Sequence, residues 1–149
     1  MVRWECKQFN DLGPHELYAV LRLRGEVFVV EQNCPYLDPD NKDQHAWHLM
    51  AWRNDQLVAY TRLLPPGASY SEASIGRVVT SPSERGTGLG KELMRRSLME
   101  LKKLFHDTPV RIGAQLYLKK FYTELGFTAV GEVYLEDGIP HVEMTRSNS

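Results

Sequence analysis

The sequence predicts a mixed α+β fold, a central sheet with helices packed on it, and three observations point there. Short runs of strand length and composition are interleaved with longer segments whose apolar residues recur at helical spacing. The elements follow the order strand, helix, three strands, helix, strand, helix, two strands. The last two strands are joined by Asp137-Gly138, a dipeptide that favours the tight turn of a hairpin. The 149 residues contain no internal repeat and no linker, so residues 1–149 are read as one domain. A chain of this length buries roughly two-thirds of its unfolded surface, enough for one enzyme-sized core.

Arg3 to Phe9 reads as a short edge strand. Pro14 suits a first helical turn, and Leu17, Val20, Leu21, Arg24 and Phe28 then recur on one helical face until Asn33 ends the run. The segment CPYLDPDNKDQ, with two prolines among Asp and Asn residues, favours turns over regular pairing. AWHLMAW and QLVAYTRLL flank Arg53-Asn54-Asp55 as a hairpin, and PPGASYSEA is a second loop. Ile75 to Thr80 is a β-branched strand. From Gly88 to Phe105 a helix turns Leu89, Leu93, Met94, Leu98, Leu101 and Phe105 inward, and Pro109 disfavours its continuation. Val110 to Ala114 is a strand, Leu116 to Leu125 a helix, and Phe127 to Glu136 pairs with Ile139 to Arg146.

Composition excludes several classes of function. Eighteen Lys and Arg residues nearly balance nineteen Asp and Glu, so no whole-chain field draws in nucleic acid or an anionic membrane. No window approaches the roughly 20 apolar residues of a membrane span, and the charged N-terminus does not resemble a secretion signal. Cys6 and Cys34 lie far apart and outside any metal-ligand run, as expected of reduced thiols in the cytoplasm. His45 and His48 have an HxxH spacing, but on a strand they would face opposite ways with no third ligand nearby, so no metal is expected.

The segment IGRVVTSPSERGTGLGKELMRRSL carries the chemistry. A strand breaks into a loop bearing Gly86, Gly88 and Gly90 and then becomes a helix. The first N–H groups of a helix lack intrahelical acceptors, and the macrodipole favours negative charge there. Glycines let the chain approach a ligand closely, and Arg85 and Lys91 add cations, so a phosphate or pyrophosphate is the natural ligand. Two phosphate motifs are excluded by counting. Gly86 and Gly90-Lys91 enclose three residues where a P-loop needs four, and Glu92 follows where it needs a hydroxyl. A dinucleotide fingerprint would need glycine where Lys91 stands. Glycine-rich turns between a strand and a helix are also common without any ligand.

Arg85-x-x-Gly88-x-Gly90, after a β-branched strand and before an amphipathic helix, resembles the acyl-CoA loop of the GNAT acetyltransferase superfamily. IGAQLYLKKFYTELGFTAVGEVY is similar to that superfamily's second motif, with Tyr122 four residues before Gly126-Phe127. RGEVFVVEQNCPY, GRVV and EVYLEDGIPHVEM resemble its ElaA-like branch, so the resemblance spans the chain. It implies a mixed, mostly antiparallel sheet of about six to seven strands flanked by helices. It also implies direct acetyl transfer from acetyl-CoA, the cosubstrate, to an amine of a small molecule or peptide. The backbone of Val78, Val79 and Thr80 would pair with the pantetheine arm as an added strand does. Arg85, Gly86, Thr87, Gly88, Leu89, Gly90 and Lys91 would hold the pyrophosphate, and Gln115 stands where many relatives have an asparagine touching the cofactor arm.

Tyr122 would be the acid that protonates the leaving sulfur, although its spacing with Leu118, Phe121 and Leu125 also fits core packing. Many relatives carry a glutamate on the strand before the glycine loop, whereas IGRVV has Arg77 and no carboxylate. The base is therefore open among Glu31, His48, His141, Glu143 and a water chain. Arg62 and Arg77 are expected either to line the acceptor side, selecting a carboxylate or phosphate, or to point outward into solvent. A non-catalytic acyl-CoA sensing module is the competing reading. The final hairpin is the candidate surface for a homodimer.

Overall fold

In the computed structural model, which describes residues 1–149, a seven-stranded sheet organises the chain. The strands are β1 (Val2–Gln8), β2 (Trp47–Arg53), β3 (Gln56–Leu64), β4 (Ala73–Thr80), β5 (Val110–Gln115), β6 (Thr128–Glu136) and β7 (Ile139–Arg146). They lie in the order β1-β2-β3-β4-β5-β7-β6, and every neighbouring pair is antiparallel except β4 with β5. The helices are α1 (Pro14–Arg24), α2 (Leu89–Phe105) and α3 (Lys119–Glu124).

Strand alternation assigns the two faces of the sheet. Leu49 and Ala51 of β2 and Ala59 of β3 meet Leu93 of α2, and Thr61 of β3 is hydrogen-bonded to Ser97 at 2.8 Å. Met50 and Trp52 of β2, with Leu57 and Tyr60 of β3, pack instead against Val20 and Leu23 of α1. Helices on both faces explain why β3 is buried from Leu57 to Leu64, Thr61 and Arg62 included. The largest cluster joins Met94, Leu98 and Leu101 of α2 to Ile112, Tyr122, Phe127 and Met144. Each such large apolar side chain contributes about 1.5–3 kcal/mol on burial.

Two elements differ from the sequence expectation. The first helix continues beyond Arg24 as a π-helical stretch, Gly25–Glu31, so its inward face is Val20, Leu23, Arg24 and Val27 rather than a stripe through Leu17 and Leu21. The segment expected as helix from Leu116 to Leu125 opens with a 3-10 turn, Leu116–Leu118, before α3 begins. No helix is long and apolar enough to cross a membrane.

Candidate functional site

Strands β4 and β5 pair only through Ala73 with Val110 and Ser74 with Arg111, and then diverge. A parallel pair that separates leaves the facing edge of β4 from Ile75 to Thr80 without a strand partner. The gap opens into a cavity of about 860 Å³, bordered by the π-helical stretch, β4, the glycine loop, β5, α3 and the last hairpin. Of the residues expected to contact cofactor, Val78, Val79, Thr80, Arg85, Gly86, Gly88, Leu89, Gly90, Lys91, Gln115 and Tyr122 all border it. Thr87 does not: its hydroxyl turns back to donate to the Glu84 carbonyl at 2.6 Å.

The glycine loop is shaped by its backbone. Gly86 and Gly88 sit at φ of 81° and 84°, a region L-residues avoid, and Gly88 is the N-cap of α2. Gly90 is helical, and a Cβ there would stand 3.8 Å from Phe121, an ordinary contact. The backbone N–H groups of Gly86, Gly88, Leu89, Gly90 and Lys91 have no acceptor within the chain, so an anion could satisfy several at once. Arg85 is already engaged, donating to both Glu31 oxygens at 2.7 and 2.6 Å. The same contact holds the Glu31 carboxyl below its usual range, which disqualifies it as a base near neutrality.

Tyr122 is 5% exposed, set edge-on to Phe121 and Phe127 at 5.1 and 6.0 Å between ring centroids. Core packing and a place on the cavity are therefore compatible roles for it. Its hydroxyl makes no hydrogen bond within the chain, and burial pushes the phenol above its ordinary pKa, so it keeps its proton at neutral pH. The Gln115 amide is spent on Gln32, with contacts of 3.2 and 3.4 Å.

Of Arg62 and Arg77, expected either to line the acceptor side or to point outward into solvent, only Arg77 borders the cavity and neither points outward. On β3 Thr61 alone stands opposite Arg77 and Val78 of β4, since Tyr60 pairs with Val79 and Arg62 with Gly76. This is a β-bulge, and Arg77 takes its strained position at φ 50°. Its guanidinium is held by Asp38, with Nε to Oδ1 at 2.9 Å and Nη2 to the carbonyl at 2.8 Å. Arg62 is 4% exposed and binds Asp40 through two nitrogens at 2.7 and 2.8 Å, and Asp43 at 3.0 Å. Arg24 completes the network, donating to Asp38 and Asp43, each at 2.8 Å. Arg77 borders the cavity, but with its donors on Asp38 it is neither directed into solvent nor a free receptor for an anionic acceptor.

Sequence reasoning missed Asp38, Asp40 and Asp43 because their loop read as turn-forming. A signal was present nonetheless: Arg24 falls in the apolar stripe of α1, and a buried arginine requires carboxylate partners.

The remaining base candidates separate by position. His48 is fully buried away from the cavity: Nε2–H donates to the Asp43 carbonyl at 2.9 Å, leaving Nδ1 to accept from Tyr60 at 2.6 Å. Burial lowers its pKa, so the ring is neutral. His45 is exposed and plays no part in this arrangement. Glu143 pairs with Arg111 at 2.7 Å and does not reach the cavity. His141 borders it, with Nδ1–H donating to the Ile139 carbonyl at 2.7 Å.

The acetyltransferase (GNAT) domain family matches residues 20–147, most of the chain. This chain belongs to the GNAT acetyltransferase family. Protein ElaA of Escherichia coli is 45% identical over 98% of this chain and 97% of its own length, which places the chain in the ElaA-like branch of GNAT proteins. The crystal structure of E. coli ElaA superposes with a TM-score of 0.92 at 44% identity, covering 98% of this chain and 99% of that one. An acyl-CoA N-acyltransferase from Pseudomonas aeruginosa is 52% identical, with a TM-score of 0.94 over 98% of this chain and 99% of that one. An aminoglycoside 6′-N-acetyltransferase crystallised with coenzyme A shares the fold at 16% identity and a TM-score of 0.72, covering 97% of each chain. The mixed, mostly antiparallel sheet is thus the GNAT fold.

Proposed function

We propose that this chain transfers an acetyl group from acetyl-CoA to the primary amine of a small molecule or peptide by direct attack, with both substrates bound together. One observation carries the reading: the glycine-loop residues with unaccepted N–H groups, the partnerless edge of β4 and Tyr122, whose hydroxyl has no partner within the chain, all border a single cavity. Residues 1–149 act as one catalytic domain. The loop N–H groups take the pyrophosphate, with Arg85 adding exposed charge, and Val78 to Thr80 extend the sheet to the pantetheine amides. Gln115 borders the arm beside Gln32.

The amine attacks the thioester carbonyl and the C–S electron pair passes to sulfur. A free thiol has a pKa of about 8.5, below that of the Tyr122 phenol, so complete proton transfer is uphill in water. Burial raises the basicity of the departing sulfur as well, which narrows the gap, and a hydrogen bond from Tyr122 strengthens as negative charge develops there. Replacing Tyr122 by Phe should therefore lower kcat on the order of 10²–10⁴-fold while leaving calorimetric acetyl-CoA affinity unchanged. A wild-type rate in that variant would remove Tyr122 as the acid. A wild type that binds acetyl-CoA yet acetylates no amine would support the sensing module instead.

A further inference from the structure

We infer that His141 is the general base, taking a proton from the acceptor ammonium at Nε2. The inference rests on the acetyl-transfer reading above. Of the carboxylates and histidines considered for this task, Glu31 is neutralised by Arg85, His48 has spent both nitrogens, and Glu143 lies outside the cavity. His141 alone borders the cavity with a ring nitrogen left over.

The local fold fixes which nitrogen that is. In β7 the Ile139 carbonyl accepts from His141 Nδ1–H at 2.7 Å, which places the lone pair of the neutral ring on Nε2. Tyr134 of β6 stacks on the ring with centroids 5.8 Å apart and holds its plane. The Glu136 carboxylate stands 3.6 Å from Nε2, beyond hydrogen-bond distance. Gln115, the cross-strand partner on β5, brings a neutral amide, and Asp137 at the turn adds a second carboxylate to the border of the cavity. Three cations also border the cavity, Arg77 from β4 and Arg85 and Lys91 from the glycine loop, the first two paired with Asp38 and Glu31. The ring is 6% exposed, while Glu136 is 61% exposed and gives the proton a route to water.

The proton balance closes. One ammonium proton passes to His141 and on to solvent. The nitrogen then forms its bond to the carbonyl carbon as the C–S bond breaks with its electron pair on sulfur. Sulfur takes the Tyr122 proton, and the second proton shed by nitrogen restores the phenol.

The test is the pH dependence of kcat/KM for acetyl-CoA with putrescine or Nα-acetyl-lysine, whichever amine turns over faster. Wild type should rise with unit slope to a plateau. His141→Gln, folded by circular dichroism and binding acetyl-CoA as wild type does, should fall on the order of 10²-fold at neutral pH and lose that inflection. Glu136→Gln, at an exposed position on the proton's way to water, should also lower kcat/KM at neutral pH, and this variant decides the matter if His141→Gln does not fold. An unchanged profile in either folded variant overturns the assignment of His141 and leaves acetyl transfer standing. A wild type that binds no acetyl-CoA, or acetylates neither amine, overturns the transfer reading and this inference with it.

Discussion

The glycine loop, Ser81 to Lys91, and the acidic loop, Cys34 to His45, both reach the cavity but are built by opposite means. The first works with backbone: adjacent residues, two glycines at positive φ and N–H groups left without acceptors. Its cationic side chains are exposed, Arg85 to 45% of its side chain. The second works with side chains: Asp38, Asp40 and Asp43 reach Arg24, Arg62 and Arg77, which come from α1, β3 and β4. Cys34 adds a contact, its thiol donating to the Asp137 carbonyl at 3.3 Å and joining this loop to the last hairpin. A backbone site can be altered without loosening the fold, whereas a buried ion network cannot lose a member cheaply.

The largest effect should come from Arg24→Met. Removing one partner leaves Asp38 and Asp43 short of a charge within the fold, which costs about 3–5 kcal/mol. For a chain of this size that lowers Tm on the order of 10 °C, readable by calorimetric melting. A Tm within a degree or two of wild type would mean that the network is not a structural clamp.

Gly88→Asp should do the reverse. It sets a carboxylate and a Cβ at φ 84°, in open space and among the unaccepted N–H groups, so acetyl-CoA affinity should drop on the order of 10²-fold. The circular dichroism spectrum should be retained. Affinity equal to wild type would break the comparison at its cofactor end.

Acid should separate the two regions next. Burial holds the His48 pKa below 6.5, so the unfolded chain binds the extra proton. The stability this provides is intact above pH 6.5 and declines as pH falls through that value. Burial alone would raise the Asp40 and Asp43 carboxyls, but hydrogen bonds and charge from Arg62 and Arg24 overcome it and hold both below 3.8. Their contribution is full above that pH and is lost below it. Urea unfolding followed from pH 8 to 3 should therefore weaken in two stages, and Arg24→Met should flatten the lower one.

The smallest effect belongs to Arg85→Ala. An exposed charge is screened by salt, so acetyl-CoA affinity should fall about two- to fivefold at low ionic strength and match wild type near 1 M salt. A large loss that persists in high salt would show that the loop depends on its side chain more than on its backbone.

Much of this molecule was legible because it is local. Strand and helix periods, the Asp137-Gly138 hairpin and the anion-binding character of the glycine loop each depend on residues a few positions apart. The resemblance to GNAT acetyltransferases rested on motifs of the same kind. The arginines are the contrary case. Arg62 and Arg77 were recognisable as neighbours on adjacent strands, but their fate was set by aspartates of an acidic loop 19 to 39 residues before them in sequence.

The sequence by itself determined the order of elements, the backbone freedom of Gly86 and Gly88 and the inward face of α2, since local sterics and hydrophobic period act within one segment. Only the tertiary structure decided which charges remain available. It placed Asp38 against Arg77 and Glu31 against Arg85, and it left His141 on the border of the cavity with one ring nitrogen not hydrogen-bonded within the chain. Electrostatic pairing acts through space, and the chain separation between partners, from Glu31 to Arg85 or from Asp38 to Arg77, leaves no periodic trace in the residues between them.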